Sequence, residues 1–278
     1  MKKKLLIALA LVACVAAIIV GSVAGTLAYL RASVSVTNTF SYGKVAINLT
    51  EALTNEDGTY IKDVNNRGYG NKYMLMPGKS YHKDPVIHVG EESQAMYLFL
   101  KVDNGIAGLA LTPEDLAKLD EENKNNKEYK LPRTIHQQLL DAGWKIYSDE
   151  SGKEYTNSST TTVGGANLLT TSTVYYLSVG TGTSEEDSKP KFVCGTKVAA
   201  SNGVVQAENI DTFKIFTVSP SNATEDTMTA YVTNNSKIIV TAFAIQNTGE
   251  GINTIHDAAD VFSEEFASAI PTAAAPQG

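Results

Sequence analysis

The chain has two cysteines in 278 residues. Cys14 lies within an apolar N-terminal run, which leaves Cys194 alone in the remainder with no partner for an internal disulfide. Stability of that remainder must therefore come from a packed core. Cys194, between Val193 and Gly195, reads as a small buried apolar residue, not a nucleophile. Histidine is scarce, with four in all: His82, His88, His136 and His256. There is no H-E-x-x-H, no G-x-S-x-G, no phosphate-binding loop and no glycine-rich dinucleotide turn. If one extended strand carried His82 and His88 on the same face, strand rise would separate them by about 20 Å, too far for one ion. The sequence thus offers no catalytic residue, no metal ligand and no cofactor site. Positive charge is also short, with 23 Lys and Arg against 30 Asp and Glu. An acidic surface repels phosphate backbones, so nucleic acid is not an expected partner. The single tryptophan, in Trp144-Lys145-Ile146-Tyr147, reads as a core plug where the chain returns to strand.

What is present begins at the N-terminus. Lys2, Lys3 and Lys4 precede an uncharged, almost wholly apolar run from Leu5 to Leu30. This is the pattern of an export signal, with the basic end held on the cytoplasmic side. Three readings of it stand. The run is long enough for an uncleaved anchor. Leu11-Val12-Ala13-Cys14 resembles a lipobox, although an apolar stretch and not a polar tether follows it. Cleavage near Ala28, with small Thr26 and Ala28 before the cut, makes 1–28 a signal peptide. The mature chain would then carry 20 basic against 30 acidic residues.

The chain changes character directly after the run. Val34, Val36, Phe40 and Tyr42 alternate with Ser and Thr, the period of a strand with one buried face. Lys44 to Glu51 alternates again, with Val45, Ile47 and Leu49 on one side, and is expected to pair with the first strand. Met76-Pro77-Gly78-Lys79 is a turn, followed by a strand from Lys83 to Val89. Ala95 to Val102 is apolar on both faces and reads as a central strand. A helical insert spans about 111–143. Thr112 is its N-cap, with Pro113 and Asp115 behind, and a second short helix runs from Ile135 to Ala142. Gly152 to Leu169 reads as a Ser/Thr/Gly-rich excursion, and Thr181 to Lys189 as an acidic loop. Strands are expected at Val174 to Val179, Phe192 to Val198, Phe213 to Val218 and Ser236 to Gln246. A last helix presents Ile252, Ile255, Ala259, Phe262, Phe266 and Ala269 as one apolar stripe. The expected organisation is one β-sandwich domain over 29–270 and a disordered tail at 271–278.

Three blocks carry a resemblance. Gly25, Thr26, Ala28 and Tyr29, then Thr37-Asn38-Thr39-Phe40, Gly43, Leu49 and Glu51, form the first. Pro77, Gly78, Lys83, Asp84, Pro85, Ile87 and Val89 form the second. Val240, Ala242, Ala244, Ile245 and Gln246, followed by the amphipathic helix, form the third. Together they resemble the TasA/camelysin family of exported Gram-positive biofilm-matrix proteins. Where that family has an acidic residue soon after the aromatic, Arg31 stands here.

The resemblance implies a mainly β, jelly-roll-like antiparallel β-sandwich with a helical insert and a C-terminal amphipathic helix. It implies an extracellular or cell-surface fibre subunit processed by a dedicated signal peptidase. Each copy would associate head-to-tail with itself, and possible further partners are other matrix proteins. The assembly strand would carry Val34, Val36, Phe40 and Tyr42, donated to the next subunit. Two alternatives remain open at this stage: a camelysin-like surface metalloprotease, and a surface adhesin that does not polymerise.

Overall fold

The computed structural model describes residues 31–34, 45–90, 93–94, 96–177, 204–205, 208–246, 251–252 and 254–267. In chain order the strands are β1 (Arg31–Val34), β2 (Ile47–Ala52), β3 (Arg67–Gly68), β4 (Ser80–His82), β5 (Val86–Val89), β6 (Ser93–Gln94) and β7 (Met96–Asn104). After helices α1 (Pro113–Asn123) and α2 (Ile135–Asp141) come β8 (Trp144–Ile146), β9 (Thr156–Val163), β10 (Ala166–Leu177), β11 (Val204–Val205), β12 (Glu208–Asp211) and β13 (Ile215–Thr217). Helix α3 (Glu225–Thr233) and strand β14 (Ile238–Gln246) precede two short helices, α4 (Ile255–Asp260) and α5 (Ser263–Phe266).

The protein is mainly antiparallel β-sheet with a few helices, as the strand patterns predict. The larger sheet runs β1-β14-β7-β10-β8, with β9 also on β10. A second sheet runs β12-β5-β2-β3. Strand β7 is apolar on both faces because both are covered, and Met96 to Leu100 are all buried. On one face Leu98, Leu100 and Val102 join Ala242, Ala244, Ile87, Val89 and Ile210, filling the space between the two sheets. On the other, Tyr97, Phe99, Phe243 and Ile245 receive Phe262 and Phe266 from the C-terminal segment. The two helices of the insert are capped by Thr112 and Thr134, each in a reciprocal capping box. Trp144 is 1 % exposed, and its indole N–H donates to the Asp211 carbonyl at 3.0 Å.

Several expectations are corrected. Arg31–Val34 pairs with β14 and β2 pairs with β5 and β3, while the rest of the expected first strand, 35–42, lies outside the described residues. The Ser/Thr/Gly excursion is the hairpin of β9 and β10. Gly164 (φ 58°) and Gly165 (φ 87°) form its two-residue turn, and β-branched threonines suit a pleated surface without an apolar face. His82 and His88 are on separate strands, β4 and β5. The last helix is broken, with Phe262 between α4 and α5 and its ring fully buried. Helix α3, absent from the sequence reading, starts at Thr224, whose side chain accepts from the Thr227 amide. Phe192 to Val198, Thr181 to Lys189, Cys14, Cys194 and Ala269 lie outside the described residues.

Candidate functional site: the N-terminal strand, the edge it joins and the groove beside it

Strand β14 (IIVTAFAIQ) alternates between the inter-sheet core and the helix-covered face, so it is fixed in register against all nine residues of its neighbour β7 from Met96 to Asn104. Its other edge receives β1, with Arg31 opposite Ile245, Ala32 opposite Ala244, Ser33 opposite Phe243 and Val34 opposite Ala242. The first described residues after the apolar run are thus the outermost of the described strands of the larger sheet. Of the predicted assembly residues, Val34 is placed at this edge. Val36, Phe40 and Tyr42, and the processing residues Thr26 and Ala28, lie outside the described residues.

Beyond Val34 the edge continues as Ile238 to Thr241, where none of the described residues pairs on that side. Consecutive residues from both faces of β14 there line a groove of ≈ 1090 Å³. Its exposed lining mixes apolar side chains, with Tyr69 and Met74 each 62 % exposed, Ile239 50 % and Val232 70 %, with Glu56, Lys72, Asn235 and Lys237.

The deep side of the groove is charged. Ile47, Leu49 and Glu51 share one face of β2 by strand period, so Glu51 follows two apolar residues inward and is 5 % exposed. Lys83, between β4 and β5 and 8 % exposed, donates from Nζ to Glu51 Oε2 at 2.6 Å. Asn71 Nδ2 donates to Glu51 Oε1 at 3.0 Å and to the Ala52 carbonyl at 2.9 Å, while its Oδ1 accepts from the Thr54 amide at 2.8 Å. Next to them Asp84 accepts from Arg67 Nη1 at 3.0 Å and from the Ala52 amide at 2.7 Å. Arg67 also donates to the Thr50 hydroxyl and to the Thr50 and Asp84 carbonyls. Buried charges are tolerated because each is paired and hydrogen-bonded. Burial, then the negative charge of Glu51, pushes the neighbouring Tyr73 hydroxyl well above its ordinary pKa. Sequence reasoning used Glu51 and Lys83 only as pattern residues. The signal for the pair was a carboxylate continuing the apolar period of β2, which demands a buried partner.

The four histidines are dispersed. The ring of His82 stacks on Tyr60 at 4.2 Å. His88 is within hydrogen-bond distance of Thr50 (2.7 Å) and Asn209 (2.6 Å), His136 of Tyr175 (3.0 Å), and His256 of Tyr147 (3.1 Å). Among the described residues no group of three His, Cys, Asp or Glu side chains could hold a metal ion. Among them also, no helix is long and apolar enough to cross a membrane. No family model, no curated protein and no solved structure matches this chain.

Proposed function

We propose that the protein is an exported structural subunit of extracellular fibres, of the TasA/camelysin kind, in which the strand after the signal is donated to the next copy. A jelly-roll connectivity and signal cleavage near Ala28 belong to this reading. The observation that carries it is the pairing of Arg31–Val34 with Ala242–Ile245 at the outer edge of the larger sheet. A strand held at an edge can pair with the same edge of another copy and keep the same main-chain hydrogen bonds. Such a contact is head-to-tail, so it propagates as a filament instead of closing as a dimer. Among the described residues the edge continues unpaired at Ile238 to Thr241, which adds length for a donated strand carrying Val34, Val36, Phe40 and Tyr42.

Electron microscopy and light scattering of the mature protein test this reading. Protein beginning at Tyr29 is expected to form filaments. Protein beginning at Gly43 is expected to fold and stay monomeric, and Val36→Asp to slow growth by placing a charge on the buried face. Filaments from the Gly43 protein would show that another element is the connector.

A further inference from the structure

We propose that Lys83 and Asn71 form an intramolecular amide cross-link, with Glu51 as the group that moves the proton. The three side chains are the parts such a reaction requires. Lys83 supplies an amine, Asn71 a carboxamide carbon, and Glu51 a carboxylate that touches both. One carboxylate oxygen is 2.6 Å from the nucleophile Nζ; the other is 3.0 Å from the leaving nitrogen Nδ2. The orientation of the amide is set by its neighbours. Its nitrogen faces two acceptors, Glu51 and the Ala52 carbonyl, and its oxygen faces a donor, the Thr54 amide.

Lys83 and Glu51 are both nearly excluded from water, and Asp84 is already matched by Arg67. The first step is transfer of a proton from Nζ to Glu51 across their 2.6 Å contact, leaving a free amine and a carboxylic acid. The amine lone pair attacks Asn71 Cγ, and the carbonyl π electrons move to Oδ1, where the Thr54 N–H stabilises the oxyanion. Glu51 Oε1 faces Nδ2 and delivers the proton there. Glu51, a carboxylate again after that delivery, takes the extra proton from the new amide nitrogen as the C–N bond breaks and passes it to the departing ammonia, which leaves as ammonium. The balance is one ammonium side chain and one carboxamide giving one secondary amide and one ammonium ion, with no oxidant, metal or external reactant. Glu51, Asn71 and Lys83 all line the groove, which gives the ammonia an exit.

Tryptic mapping of the purified, unmutated protein tests this without depending on fibre assembly or on the N-terminus. Trypsin does not cut after an acylated lysine. The expected product is a branched peptide, Gly68–Lys72 joined to Ser80–Lys101, lighter by one ammonia, ~17 Da, than the two linear chains together. Quantitative recovery of linear Gly68–Lys72 and Ser80–Lys83 after prolonged incubation of folded protein overturns the proposal. A branch on Glu51, with loss of water, overturns the assignment of Asn71. In Glu51→Gln, checked for folding by circular dichroism, the branched peptide is expected to fall at least tenfold while both reacting residues remain. An unchanged yield there removes Glu51 from the proton path, and the unmutated digest decides the cross-link itself if the variant does not fold.

Discussion

Substitution of Phe262 by alanine tests how the C-terminal segment is held. The Phe262 ring is fully buried. It lies 5.2 Å from the ring of Phe243, 5.8 Å from Phe266 and 6.1 Å from Phe99, so it ties the segment to both central strands of the larger sheet. Phe→Ala at a buried site costs about 3–5 kcal/mol through lost transfer energy and the cavity left behind. For a chain of this size each kcal/mol lowers Tm by roughly 2–4 °C, so the expected fall is roughly 6–20 °C. Glu264, two residues on, is exposed, and Glu264→Ala is expected to cost a few tenths of a kcal/mol at most through the lost charge in the first turn of α5. Thermal unfolding followed by circular dichroism compares the two. Equal melting temperatures would refute the docking of this segment on Phe99 and Phe243.

Two further outcomes follow from particular contacts. Burial of Asp115 alone would raise its pKa, but hydrogen bonds from Ser219, the Thr112 amide and Ser221 outweigh burial and hold it at about 2, below the ordinary 3.8. A depressed folded value means stability present above pH ~4 and lost as pH falls towards ~2. Asp115→Asn is therefore expected to cost about 2 kcal/mol at pH 7 and progressively less in acid, read by urea unfolding as a function of pH. At Gly105 a Cβ would stand 2.6 Å from the Lys237 carbonyl oxygen and 2.9 Å from its nitrogen, both backbone atoms. Gly105→Ala is expected to destabilise by about 1–3 kcal/mol through the end of β7 and the start of β14, and an unchanged urea midpoint would show that this approach can relax.

The central strands and the capped helices were legible because their signals are local. Met96 to Leu100 had to be covered on both faces, and Thr112 with Asp115 announced a capping box before any packing was known. The hairpin of β9 and β10 was not legible from hydrophobic alternation because it has little apolar face to alternate. Its signals were the run of threonines and the Gly164-Gly165 turn, which reads equally well as a loop. Helix α3 was missed although Thr224 precedes Glu225 and Asp226, since the segment has no strong apolar stripe. The partner of β1 could not be read from neighbouring sequence at all. Period 2 fixes which residues face inward, whereas Arg31 opposite Ile245 is a contact across most of the chain. The Lys83–Glu51–Asn71 cluster lay in between. A buried carboxylate on β2 was predictable, but its two partners come from a loop and from a strand connection that only the fold brings together.

The proposed cross-link would lie in one wall of the groove. The segment from Asn71 to Lys83 carries Tyr73, Met74 and Leu75, which line the groove opposite Ile238 to Thr241. It is anchored by Tyr81, whose hydroxyl donates to the Met74 carbonyl and accepts from the Met76 amide, and by the stacking of Tyr81 on Phe216. The proposed bond between Asn71 and Lys83 would close this segment into a loop and lower the entropy its unfolded form would gain. If an extended segment enters the groove as proposed, a wall ordered beforehand costs little further ordering, and that reduction would turn buried area into affinity. The same closure leaves β14 untouched, because Ala242 to Ile245 are held by β7 independently of the loop. The edge that receives a strand and the wall that shapes its groove are thus stabilised by separate interactions, and each can be broken without the other.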